Sequence, residues 1–338
     1  MRRTSLFFIG PRQLELRDEA IPEPQGSELL VQTQLSAVSA GTEMLVYRGE
    51  IPSDDQAQGD AISSGLSYPL TYGYAAVGRV VQTGPSANAN WRDRLVFSFQ
   101  PHCSHFLANP DQVIPVPEGL GPEDAVFLPN METAVNLVQD SAPVLGERVL
   151  ILGQGVVGLL AAAILREFPV ECLVTADRYL QRRGASDNLG VTAALDPASA
   201  NFRDQALQFT GDSRGGFDLT LELTGNPSAL NQAIALTAFS GRVVVGSWYG
   251  TKTAPVEFGG RFHRSRITLI ASQVSTIAPQ LAGRWDKSRR LGVAWEQLRR
   301  IRPARWVTHR HSIATAEQAY QMLDEAPEDT IQLIFNYP

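Results

Sequence analysis

The sequence predicts an α/β protein, with a β-rich first segment followed by a doubly wound parallel sheet. Three observations carry this. The branched apolar run at residues 148–152 is cut off by Gly153-Gln-Gly155-Val156-Val157-Gly158, and a small-residue helical pattern follows at once. From about residue 123 to 273, helical and strand periodicities alternate, as a parallel sheet with crossover helices requires. The residues before these hold short branched or alternating runs punctuated by Gly and Pro, which read as strands and turns.

In chain order, residues 28–35, 76–82 and 94–99 read as early strands, and the polar stretch 53–67 as a mobile insertion. The Pro-rich stretch 115–122 marks the passage to the second architecture. There, 170–176 reads as the second strand, 218–223 and 242–246 as later ones, and 267–271 as a sixth. Residues 227–239 carry helical spacing, with Gly241 as the expected stop. Amphipathic helices are expected over 287–300 and 314–325, and a closing strand over 330–335. There is no internal repeat and no low-complexity tail.

The glycine triplet has a specific physical reading. Gly153 suits a tight strand-to-helix turn, Gly155 a close approach of a phosphate, and Gly158 close helix-on-strand packing. The first amides of the helix, including those of Val156 and Val157, then face a bound pyrophosphate, where the helix dipole favours negative charge. Asp177 ends the second strand 24 residues beyond Gly153, close to the ~20 expected for the carboxylate that binds an adenosine ribose. Strand, glycines, helix, strand and acid occur in the order that dinucleotide binding requires. The carboxylate favours NAD(H); Arg178, Arg182 and Arg183 keep NADP(H) as the second candidate, because an arginine accommodates a 2′-phosphate.

Composition bounds the rest. At 338 residues the chain suits two domains rather than one core. A net charge of −6 offers no basic field, so neither nucleic acid nor an anionic membrane is the expected partner; a small-molecule substrate is. The two cysteines, Cys103 and Cys172, make no disulfide framework, the N-terminus does not resemble a signal peptide, and the apolar runs fall short of the ~20 residues that span a bilayer. A cytoplasmic setting is the expectation.

Several motifs resemble those of the medium-chain dehydrogenase/reductase superfamily, and the resemblance covers nearly the whole chain. Val38-Ser-Ala-Gly-Thr-Glu-Met-Leu-Val-Tyr-Arg-Gly49 is similar to the family's G-I-C-G-T-D-x-H-x-x-x-G, and Tyr68-Pro-Leu-Thr-Tyr-Gly-Tyr-Ala-Ala-Val-Gly78 to P-x-x-x-G-H-E-x-x-G. Asp93-Arg-Leu-Val96, the glycine triplet, Asp177 and Leu223-Thr224-Gly225 add to it. The resemblance implies a GroES-like catalytic domain over 1–131, a Rossmann dinucleotide-binding domain over 132–272 and a return to the catalytic domain over 273–338. It implies a homodimer or homotetramer, and it places Thr133, Thr224 and Gly225 beside the cofactor.

This chain departs from the family at the metal. The expected zinc-ligand positions hold Ala40, Tyr74, Ala75 and Pro129, and the proton-relaying histidine is replaced by Leu45. The four-cysteine structural lobe is missing. A phenol is a poor zinc ligand beside imidazole or thiolate, so no zinc is expected at either site. The cluster His102-Cys103-Ser104-His105 reads as a strand end rather than a metal site. His263, His309 and His311 read as surface or domain-edge residues.

Without zinc, the oxygen that gains charge in hydride transfer needs another stabiliser. Tyr74, in the histidine slot, is either that general acid/base or an ordinary core aromatic. Glu43 is expected to orient the cleft. Glu132 is either a second acid/base candidate or a carboxylate at a helix start, and Ser39 is a weaker candidate. The expected function is zinc-independent, NAD(P)(H)-dependent hydride transfer on a secondary alcohol or ketone. Residues 39–43 and 68–74 locally resemble bacteriochlorophyllide dehydrogenases. The alternatives are a zinc-free quinone or enone reductase and a cofactor-binding protein without turnover.

Overall fold

The computed structural model describes residues 1–51, 66–211 and 215–338. The insertion expected at 53–67 lies almost wholly outside the described residues. In chain order the front supplies β1 (Arg2–Gly10), β2 (Gln13–Ala20), β3 (Leu29–Val38), α1 (Glu43–Arg48), β4 (Leu70–Thr71), β5 (Ala76–Thr83), β6 (Leu95–Ser98), β7 (His105–Ala108), β8 (Ile114–Pro115) and α2 (Pro122–Ala125). The middle supplies α3 (Leu128–Ser141), β9 (Arg148–Leu152), α4 (Val156–Leu165), β10 (Cys172–Ala176), α5 (Leu180–Asp187), β11 (Ala193–Leu195), α6 (Phe202–Leu207), β12 (Phe217–Glu222), α7 (Ala229–Leu236), β13 (Thr237–Val245), β14 (Thr268–Ala271) and α8 (Lys287–Ile301). The end supplies β15 (Val307–Ser312), α9 (Ala316–Glu325) and β16 (Gln332–Asn336).

The chain divides into two compact units, one of Met1–Pro129 with Leu298–Pro338 and one of Asn130–Gln297. In the first, β15-β16-β3-β5-β6-β8 form a sheet, with β7 also pairing β3, and β2-β1-β4 form a second sheet. Every pairing among these is antiparallel except β15 with β16. The apolar residues of β1, α1, α9 and β16 close one core, in which Leu6, Phe8, Val46, Tyr320 and Phe335 are completely buried. Helix α9 joins it through Ala316, Ala319, Tyr320 and Leu323, a spacing that puts all four on one face.

The second unit is a six-stranded, all-parallel sheet in the order β11-β10-β9-β12-β13-β14, doubly wound about β9. Strands β9 and β10 are buried almost end to end because helices cover both faces, which is why they read as unbroken apolar runs. The boundary expected at 272–273 falls inside this unit. Within it, Arg290 of α8 is tied to Glu132 and Asn136 of α3.

Gly241 differs from expectation in an instructive way. The helix expected to reach 239 ends at Leu236, where the Thr237 hydroxyl donates to Ala233 O at 2.7 Å and the backbone turns extended. Gly241 therefore lies inside β13. A Cβ there would meet Thr237 Cγ2 at 2.6 Å and Asp218 O at 3.1 Å, so the glycine is a steric requirement and not a terminator.

Candidate functional site

In the second unit, the glycine triplet joins β9 to α4. Gly153 sits at φ +94°, and a Cβ there would meet Leu223 O at 2.5 Å. A Cβ on Gly158 would collide with Gly153 O. Both positions therefore exclude a side chain. Gly155, the N-cap of α4, faces open space, with Arg182 Nη1 4.0 Å from a Cβ placed there. No side chain caps this helix end, and Val156 and Val157 begin its first turn. The uncapped helix N-terminus and the open space at Gly155 leave backbone amides that could receive a phosphate.

Asp177 follows β10 and is nearly buried. Its Oδ2 accepts from Gln154 N at 2.7 Å and its Oδ1 from Tyr179 N at 2.9 Å, so the carboxylate is fixed against the glycine turn. The Arg178 and Arg182 guanidinium groups lie 4.8 and 4.7 Å from the Tyr179 ring centroid. Arg182 Nη1 is 4.0 Å from Asp177 Oδ2, and burial lowers the Arg182 pKa against the opposing pull of Asp177. Arg183 instead donates to Asp177 O and Arg178 O, each at 2.9 Å.

Beyond β12, Thr224 directs its amide (2.8 Å) and its hydroxyl to Glu222 Oε1, and Gly225 N donates to Ser247 Oγ at 2.9 Å. The Tyr249 hydroxyl donates to Glu222 Oε2 at 2.5 Å; burial and the Glu222 charge raise its pKa. Lys252 Nζ donates to Gly225 O at 3.3 Å. Sequence reading missed Glu222, Ser247, Tyr249 and Lys252. A charged residue ending an apolar strand, as Asp177 does, was the available signal for Glu222.

Thr133 is half-buried on α3. Its neighbour Glu132 lies in the second turn of that helix, not at its start. Glu132 Oε1 accepts from Arg290 Nε at 3.1 Å and Nη2 at 2.8 Å, and both side chains are almost fully buried. Glu132 is therefore a buried carboxylate held in an ion pair.

In the first unit, Tyr74 leads into β5 and Ser39 follows β3. The Tyr74 hydroxyl donates to Ser39 Oγ at 2.5 Å, and both residues are partly accessible. Ser39 is clamped in turn, because its N–H donates to Glu43 Oε1 at 2.8 Å while Glu43 N donates back to Ser39 O at 2.7 Å. Glu43 is fully buried. Its Oε2 lies 2.9 Å from His102 Nε2 and also accepts from the Tyr320 hydroxyl, whose pKa burial and Glu43 push well up. His102 Nδ1 meets Ser36 Oγ at 2.7 Å, and Ser36 Oγ meets Tyr337 OH at 2.8 Å.

The pairing of His102 with Glu43 is what the sequence hid. Of the neighbours of His102, Cys103 is buried, with its thiol pushed up to about 11 by that burial, and His105 Nδ1 pairs with Ser104 Oγ at 3.1 Å. The three side chains serve three separate environments. Ala40, Ala75 and Pro129 offer no ligating atom, and among the described residues no three His, Cys, Asp or Glu side chains are grouped to hold a metal. No helix of the described residues is long and apolar enough to cross a membrane.

The zinc-binding dehydrogenase family profile matches residues 156–287. The 2-desacetyl-2-hydroxyethyl bacteriochlorophyllide A dehydrogenase of Cereibacter sphaeroides is 24% identical, over 100% of this chain and 99% of the relative. The quinone oxidoreductase of Mus musculus is 26% identical, over 80% of this chain and 79% of the relative. Among solved structures, an alcohol dehydrogenase from E. coli CFT073 in complex with NADH has a similar fold, with a TM-score of 0.78 and 16% identity over 99% of both chains. Motifs, fold and relatives together support the medium-chain dehydrogenase/reductase superfamily and an NAD(P)-dependent oxidoreductase.

Proposed function

We propose that this oxidoreductase works without zinc and interconverts a secondary alcohol and its ketone, with Tyr74 as proton donor and acceptor. The observation that carries the proposal is the 2.5 Å hydrogen bond from the Tyr74 hydroxyl to Ser39 Oγ, at a position where the superfamily's motif has a zinc ligand. The zinc-free reading is supported by the donor set: Ala40, Ala75 and Pro129 cannot ligate, and Glu43 and His102 are committed to each other. No step is therefore routed through a metal.

The glycine cradle and the α4 N-terminus fit a pyrophosphate, and Asp177 fits an adenosine ribose, with Thr133, Thr224 and Gly225 as further cofactor contacts. Bound nicotinamide supplies or accepts the hydride. In reduction, the Tyr74 O–H turns from Ser39 Oγ and gives its proton to the oxygen that gains charge, the reoriented Ser39 Oγ–H returns one to the Tyr74 oxygen, and solvent restores Ser39. Oxidation runs the same transfers backwards. Glu43 acts only by holding the Ser39 backbone.

The full-length likeness to the Cereibacter sphaeroides enzyme makes a hydroxyethyl-bearing tetrapyrrole the first substrate to try. The likeness to the mouse quinone oxidoreductase favours quinone reduction as the second reading. Purified protein should be assayed with NAD and 2-desacetyl-2-hydroxyethyl bacteriochlorophyllide a, and with NADPH and 1,4-benzoquinone, alongside zinc analysis. Turnover of the alcohol at substoichiometric zinc supports the proposal. Quinone turnover alone favours the second reading, and cofactor binding without turnover of either the non-catalytic one. Stoichiometric zinc would refute the metal-free mechanism.

A further inference from the structure

We propose that His102 is the positioning residue for the Tyr74–Ser39 pair, an inference that rests on the reading of Tyr74 as proton donor. His102 reaches both members of the pair by separate routes. Through Nε2 it holds Glu43 Oε2 at 2.9 Å, and the other oxygen of that carboxylate fixes the Ser39 amide. On the other side, His102 N donates to Tyr72 O at 3.2 Å, and the imidazole fills the space beside Gly73, immediately before Tyr74. A Cβ on Gly73 would meet the ring at 2.9 Å, and Gly73 itself sits at φ +113°, a conformation that side chains disfavour.

The imidazole is itself held in one orientation. Ser36 Oγ occupies Nδ1, Phe335 packs against the ring edge-on with centroids 5.2 Å apart, and His102 O accepts from Leu6 N at 3.0 Å. With a carboxylate as partner, Nε2 carries the proton and donates. His102 is fully buried, so it meets neither substrate nor solvent. Its effect on the reaction passes through Ser39 and the backbone that carries Tyr74. It sets the separation of the two hydroxyls.

Two variants separate this role from general core packing. His102→Leu removes the donor to Glu43, whereas His102→Gln keeps an N–H near the Nε2 position. In protein labelled with ring-13C tyrosine, the Tyr74 resonance is identified by its loss in Tyr74→Phe. We expect it to move in His102→Leu and to return towards its original position in His102→Gln, with no substrate needed. Where turnover is measured, His102→Leu lowers kcat roughly 10²-fold, the effect of a displaced reacting group, with the KM for NAD nearly unchanged. That loss shrinks when Ser39→Ala is already present.

An unmoved Tyr74 resonance in His102→Leu, or a kcat loss equally large in the Ser39→Ala background, would overturn the inference. Should His102→Leu fail to fold, Glu43→Gln, which keeps the side-chain shape, takes its place in the same spectra and is read the same way. Unchanged turnover in Tyr74→Phe would instead remove the proposed mechanism, so the two failures are distinguishable.

Discussion

Glu132 and Arg290, 158 residues apart in sequence, form a buried ion pair with Arg290 Nη2 2.8 Å from Glu132 Oε1. Arg290 is fully buried, and its remaining donors are taken by Asn136 Oδ1 at 2.7 Å, Thr276 O at 3.0 Å and Val274 O. Four residues from two segments of the second unit, helix α3 and the stretch after β14, thus converge on one guanidinium.

Removing one partner from such a pair leaves a buried charge uncompensated. Arg290→Met should therefore cost roughly 3–5 kcal/mol in denaturant unfolding. Glu132→Gln should lower stability while leaving kcat of the folded enzyme near the parent value. A kcat loss of roughly 10²–10⁴-fold in Glu132→Gln would instead return that carboxylate to the chemistry.

Tyr74→Phe deletes one hydroxyl and keeps the ring. If the phenol moves the proton, kcat falls roughly 10²–10⁴-fold while NAD affinity, measured by calorimetry, stays the same. A variant that turns over like the parent makes Tyr74 an ordinary packing aromatic.

Asp177 already accepts two backbone amides, yet each carboxylate oxygen has a further lone pair to offer a ribose hydroxyl. NAD should therefore bind more tightly than NADP. Asp177→Asn should weaken NAD binding roughly 10–100-fold, the value of a hydrogen bond to a charged group. Fluorescence titration with both nucleotides measures this. Tighter binding of NADP to the parent enzyme would assign the recognition to Arg182 and Arg178 instead.

Burial holds the Cys103 and Cys172 thiols up at about 11, above the ordinary value of 9.0. At pH 8 both are protonated and should resist iodoacetamide in the native protein, then react once it is unfolded. The sign of the linkage follows. Each thiol's stabilising contribution is fully present below pH 9, where folded and unfolded chains are both protonated. It is lost as pH rises towards 11, because the unfolded chain ionises first. A urea midpoint that does not fall between pH 9 and 11 contradicts this.

The glycine triplet was readable because each of its constraints is local. Gly153 and Gly158 are five positions apart, and the contact that forbids a side chain on Gly158 is with Gly153 itself. The Tyr74 and Ser39 segments were each readable as motifs, but their mutual hydrogen bond spans 35 residues and needed the sheet to form. The pairings of His102 and Arg290 left no such trace. Their partners lie 59 and 158 residues away, and a lone polar residue in a loop or helix carries no periodic signature of burial. The helix end at Leu236 escaped because the backbone turns extended at Thr237, a residue less conspicuous than the glycine that follows it.

The contact between Gly73 and the His102 ring ties two distant positions into a single steric choice. Across descendants of this chain the two should covary. A lineage that gains a side chain at 73 must shrink the ring at 102, and once the imidazole is gone, the carboxylate at 43 has less reason to persist.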